Sequence, residues 1–132
     1  MAIYNEEKVF ELLNEGSINL SKNRLGIKGV TMVIVHPNEG ANIPHFHIKR
    51  ENNHDCCIMF NEDKYFNHGN NDSLLSSKEA RELNNWLHKL NKEKPSRTNF
   101  QVLGDMWNAT SGVKFPVDID RDFDYSNITS YK

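Results

Sequence analysis

The chain has 132 residues, a formal net charge of −2 and 37% apolar residues, enough for one domain with a modest core. Two Trp, four Tyr and seven Phe exclude wholesale disorder, and the charge excludes a global positive field for nucleic acid or anionic lipid. No apolar run approaches the ~20 residues that span a bilayer as a helix, so no membrane partner is expected.

The opening "MAIYNEEKVFELL" lacks a basic segment followed by an apolar one, the pattern of a secretory leader. Asn5 is a plausible N-cap, Val9, Leu12 and Leu13 share a helical face, and Gly16 is placed to end the helix in a left-handed conformation. "SINLSKNRLGIKG" alternates weakly through Ile18 and Leu20. "GVTMVIVH" is β-branched and bounded by the turn cluster "PNEG", which predicts a central strand.

Pro44 requires an extended Ile43, "HFHIK" continues as a second strand, "ENNHD" turns, and "CCIMF" makes a third. Short connections between the three imply an antiparallel meander. A long polar connection follows, with Tyr65 and Phe66 as aromatic anchors and Gly69 in a turn after His68. In "SSKEARELNNWLHKLNKEKP", Ser76 and Glu79 have capping-box spacing. Ala80, Leu83, Leu87 and Leu90 run along one face beside Trp86, and Pro95 closes the segment. Lys89, Lys92, Lys94 and Arg97 follow, where the helix dipole favours cations. "TNFQVLGDMWNATSG" predicts a further helix through Phe100, Leu103 and Trp107, although Gly104 costs roughly 1 kcal/mol there. The end, "VDIDRDFDY", alternates Asp118, Asp120, Asp122 and Asp124, as an acidic edge strand or a flexible tail over 117–132 would.

These elements predict an α+β domain: a small, mainly antiparallel sheet of three or more strands packed by two to three helices, one domain over 1–132. Adjacent Cys56 and Cys57 suit reduced thiols and a cytoplasmic location.

Chemistry concentrates in "IPHFHIKRENNHDCCIMF". On a strand, His45 and His47 share a face and Phe46 and Ile48 the other. Such a pair is a two-ligand metal geometry, suited to Zn²⁺ with a further imidazole or thiolate. The third ligand has to come from His36, Glu51, His54, His68 or one cysteine. The candidate set is His45, His47, His68 and Cys56, with no cofactor required by the sequence. A His45/His47 pair beside Lys49 or Arg50 also suits acid–base work on a phosphodiester.

"HFHIKRE" resembles the first cupin motif, which would imply His45, His47 and Glu51 as ligands, but the second motif is absent. An apolar strand, "PHFH", a further strand, a Trp-bearing helix and the late Trp107–Asn108 pair resemble a family of small bacterial domains built around a P-P-H-F-H motif. Pro44, His45, Phe46 and His47 match it, and Ile43 stands in place of its first proline. That resemblance implies proximity to toxin–antitoxin-like partners and no particular activity.

The leading expectation is therefore a non-catalytic binding or regulatory protein with a protein or nucleoprotein partner. The use of Asn, Lys and Ile, common in AT-rich genomes, suggests a phage or mobile-element inhibitor of the anti-defence (anti-CRISPR-like) or antitoxin type. Asp118, Asp120, Asp122 and Asp124 would be its contact row, by imitating phosphates. The alternative is a metal-dependent or acid–base hydrolase centred on His45 and His47.

Overall fold

A computed structural model of the chain describes residues 16–36, 43–109 and 115–129. The helix expected before Gly16 lies outside the described residues. Four strands, β1 (Gly16–Ile18), β2 (Val30–Val35), β3 (His45–Arg50) and β4 (Cys56–Met59), form one antiparallel sheet. Their order is β1-β2-β3-β4, a meander, as the short connections imply. Two helices, α1 (Ser77–His88) and α2 (Asn99–Asn108), and a 3₁₀ turn at Tyr125–Asn127 complete the α+β fold. No helix among the described residues is long and apolar enough to cross a membrane.

The register decides what each sheet face holds. Val33 pairs with Ile48 and Ile34 with His47; Ile48 pairs with Cys56, His47 with Cys57, Phe46 with Ile58 and His45 with Met59. Directly opposed residues share a face. Val33, Val35, Phe46, Ile48, Cys56 and Ile58 therefore point into the main core, with Leu83, Trp86 and Leu87 of α1 and Phe100, Leu103 and Trp107 of α2. Ile34, His45, His47, Cys57 and Met59 take the opposite face and are buried as well. This second, histidine-bearing face is where the chemistry lies. In β2 only Val33–Val35 are buried from both sides; Thr31 and Met32 are exposed.

Both helices start with reciprocal caps. The Ser76 hydroxyl accepts from the Glu79 amide at 3.1 Å, and the Glu79 carboxylate accepts from the Ser76 amide at 2.9 Å. Thr98 and Gln101 repeat the arrangement at α2, at 3.2 and 3.0 Å. Each cap satisfies two amides that a helix start leaves unpaired. Glu79 also accepts from Arg50 at 2.8 Å, which fixes α1 to the end of β3. Leu90 does not extend the buried stripe: α1 ends with Lys89 as C-cap, and Leu90 beyond it is 59% exposed.

Two glycines are explained by close approach. Gly16 is not a left-handed helix stop; it opens β1, and a Cβ there would lie 2.6 Å from Met106 Sδ on α2. The described glycines with positive φ are Gly29 and Gly69. Gly104 sits within α2 because a Cβ would meet Ile119 Cγ2 at 2.9 Å and Val117 Cγ1 at 3.0 Å. The helix accepts a poor helix former so that residues 115–129 can lie against it.

That last segment is neither an edge strand nor detached from the core. Val117 and Tyr125 are buried, whereas Asp118, Asp120, Asp122 and Asp124 are exposed. The alternation read from sequence is thus real, but it comes from chain packing rather than from a ladder. The Tyr125 hydroxyl donates to Met59 O at 2.6 Å, and Arg121 donates to Tyr125 Oη, Asp63 and Phe60 O at 2.8, 3.0 and 2.9 Å. Burial pushes the Tyr125 phenol well above its ordinary pKa.

Candidate metal centre

β3 alternation sends His45 and His47 to the second sheet face, where they are 0% and 2% exposed. The third histidine arrives from the connection between β4 and α1. Tyr65 bridges to Ile58, and the Phe66 amide donates to Cys57 O at 2.9 Å, so this connection runs back along the free edge of β4. Tyr65 turns inward and binds Leu75 through its hydroxyl, accepting from the Leu75 amide at 3.0 Å. Phe66 turns to the other side, 4.8 Å from the ring of His45. A tight turn with Gly69 at φ 56° then brings His68 over the sheet, its ring stacked on Phe66 at 4.8 Å and 27°.

The three rings converge. Their centroids are separated by 5.1 Å (His45–His47), 5.1 Å (His45–His68) and 5.5 Å (His47–His68). One donor nitrogen from each lies within 4.8 Å of the others. Around a tetrahedral ion with metal–nitrogen bonds of about 2.0–2.1 Å, imidazole centres sit about 5.2 Å apart. The ring spacing is close to that of such a ligand set, whose nitrogens stand roughly 3.3 Å apart, against the 4.8 Å within which the donor nitrogens lie here.

The outer contacts orient the rings. His45 Nδ1 lies 2.7 Å from Ile43 O and His68 Nδ1 lies 3.0 Å from Phe66 O. A carbonyl only accepts, so both Nδ1 atoms carry the proton and Nε2 is the basic nitrogen. His47 Nδ1 is 3.1 Å from Asp55 Oδ2, which also accepts from Lys49 at 3.4 Å, and the same assignment follows. Histidines that bind metals characteristically donate the remote N–H to a carbonyl or carboxylate. His36, half-buried at the end of β2, sets its ring edge-on to His47 at 4.6 Å and 88°. The Trp107 ring of the main core comes within 5.7 Å of His45.

The cysteine expectation is corrected. Cys56 faces the core opposite Ile48, away from the histidines, and burial pushes its thiol up to about 12. Cys57 is the cysteine on the histidine face, its Sγ 3.2 Å from His47 Nδ1. Strand alternation admits only one of the pair, and the register of β4 selects it. Neither cysteine is in a disulfide. Cys57, His47 and Asp55 do not form a nucleophile relay, because thiol and carboxylate meet the same ring nitrogen; a relay requires opposite nitrogens.

Other sequence candidates lie elsewhere. Glu51, the third ligand of a cupin reading, is in the exposed turn after β3 and outside the convergent group. His54 pairs with Asp72 at 2.8 Å on the surface. Asp118, Asp120, Asp122 and Asp124 belong to the far segment. Asp124 accepts from the Ser126 hydroxyl and amide, at 2.5 and 2.9 Å, and these bonds hold its carboxyl below the usual range. Sequence reasoning missed Asp55 and Asn71. Asp55 was within reach: two residues before Cys57, it extends the same alternate set. Asn71 Nδ2 donates to His68 Nε2 at 3.2 Å, a contact created by turn geometry that leaves no mark in spacing.

No family model, curated protein or solved structure matches this chain.

Proposed function

We propose that this protein binds a transition metal, of the Zn²⁺ class, through His45, His47 and His68. The observation that carries the reading is the convergence of the three imidazoles at ligand-set spacing, with each Nδ1 turned outward to an acceptor. An all-imidazole set suits Zn²⁺, Cu²⁺ or Ni²⁺ better than the hard cations, which prefer oxygen. Burial of His45 and His47 limits access to such an ion, while a three-histidine set leaves its fourth position open, so metal-assisted hydrolysis is the alternative use of the same site. Such an ion ties the 60–75 connection to β3. Metal analysis of tag-free protein tests the reading: near-stoichiometric metal, lost in the His45→Ala/His47→Ala double variant, is expected. Protein that stays metal-free after incubation with Zn²⁺ and desalting would overturn it.

A second reading keeps the chain as a binding or inhibitory protein acting on a basic partner. It is supported by the outward row of Asp118, Asp120, Asp122 and Asp124 on a segment whose intervening residues face inward. Its test is the affinity for a Lys/Arg-rich peptide at low salt. Equal affinity after all four are changed to Asn removes it.

A further inference from the structure

The partner of His68 has a consequence for how the site fills. Phe66 O fixes the proton of His68 on Nδ1, so Nε2 presents the lone pair, and the Asn71 amide donates into it at 3.2 Å. A metal bound to Nε2 lies at about 2.0–2.1 Å along that lone pair. On the line to Asn71 it would sit about 1.1 Å from the amide nitrogen, and even 40° off that line only about 2.1 Å away. Neither distance is tolerable between an ion and an N–H group. The backbone has no need to move: His68 and Asn71 exchange amide–carbonyl bonds at 3.3 and 2.9 Å, and only the Asn71 side chain has to turn.

We infer that Asn71 is a built-in competitor for the metal: its amide caps His68 Nε2 and has to swing away before an ion binds. The inference rests on the metal-site reading and adds a residue that sets its affinity. The sign follows from what remains when Asn71 is removed. His68 keeps its bond to Phe66 O and its stacking on the Phe66 ring, so the ligand stays oriented while the competing donor is lost.

The experiment is a Zn²⁺ titration of the tag-free full chain against a chromophoric chelator, for wild type, Asn71→Ala and Asn71→Ser. Asn71→Ala is expected to bind roughly 3- to 10-fold more tightly, the range given by loss of one neutral hydrogen bond. Asn71→Ser, shorter and unable to span to His68 from the same backbone, should follow it and carries the test if the alanine variant is unfolded by circular dichroism. Unchanged or weaker binding in the folded variants overturns the competitor role while leaving the metal site standing. Wild-type protein without measurable Zn²⁺ affinity overturns both. Co²⁺ spectra distinguish tighter binding at the same ligands from a new site: the band shape should be common to wild type and variants, and a changed shape also counts against the inference.

Discussion

Saturating Zn²⁺ should raise the unfolding temperature of the wild-type chain by about 10 °C. At a free ion concentration about 100 times Kd, ligand linkage adds about 2.7 kcal/mol to the folded state. For 132 residues, an unfolding entropy of about 2.1 cal/mol/K per residue totals about 0.28 kcal/mol/K, and the quotient is the expected shift. It is an upper figure, because the His45/His47 pair is local in sequence and keeps some affinity when unfolded. His68 is the discriminating position, since it joins the site only through the folded connection after β4. The assay is scanning calorimetry on tag-free protein with excess Zn²⁺ and with chelator. Each variant is judged by its own metal-induced shift, because truncating a buried histidine lowers stability by itself. In His68→Ala the shift should fall below about 3 °C, and in the His45→Ala/His47→Ala double variant it should vanish. A wild-type shift under about 2 °C, or an undiminished shift in His68→Ala, would refute the three-histidine site.

Asp55→Ala should weaken Zn²⁺ binding about 10- to 100-fold by releasing the His47 ring, with a smaller loss in Asp55→Asn, which keeps an oxygen acceptor; equal chelator-competition constants would show that Asp55 does not orient the ligand. Gly104→Ala should destabilise the fold by about 1–2 kcal/mol in urea unfolding, because crowding against Val117 and Ile119 outweighs the roughly 1 kcal/mol gain in helix propensity. A stabilised variant would mean that residues 115–129 do not lie against α2. Alkaline pH should destabilise the protein from about pH 9 upward. Burial raises Cys56 from 9.0 to about 12 and also raises Tyr65 and Tyr125, so all three stay protonated in the fold after the unfolded chain has begun to lose protons. Their contribution is full below the unfolded pKa values and declines above them, by up to about 1.4 kcal/mol per pH unit for each group. Urea midpoints at pH 8.5 and 10.5 measure this, and equal midpoints would contradict it; Cys56→Ala should flatten the first part of the decline.

The fold was legible where one local signal controls one element. The β-branched run of β2, the alternation of β3 and the Ser76–Glu79 capping pair each specify their element without reference to the rest of the chain. Misreadings arose where a residue serves a distant neighbour. Gly16 has the spacing of a helix stop, yet what its position requires is room for Met106. Gly104 counted against α2 for the same reason: propensity weighs a glycine against water, whereas here the alternative is a clash with Val117 and Ile119. The Asp row alternates as a strand would, but the contacts that order it come from Tyr125 and Arg121 reaching Met59 and Phe60. No local pattern contains that information.

The site divides along the same line. The shared face of His45 and His47 is a property of one strand and could be read at once. The choice between Cys56 and Cys57 is a property of two strands in register, and a slip of one residue would reverse it. His68 depends on a connection that first follows the β4 edge and then turns at Gly69. The physical question is why three imidazoles occupy a buried face that aliphatic side chains would fill at lower desolvation cost. Hydrogen bonding to Ile43 O, Asp55 and Phe66 O, and from Asn71 to the second nitrogen of His68, makes that burial tolerable. Donor nitrogens of the three rings nevertheless come within 4.8 Å of one another, and at His68 the Nε2 atom is capped by the Asn71 amide at 3.2 Å. This convergence, more than the count of histidines, is the feature on which the metal-site proposal rests.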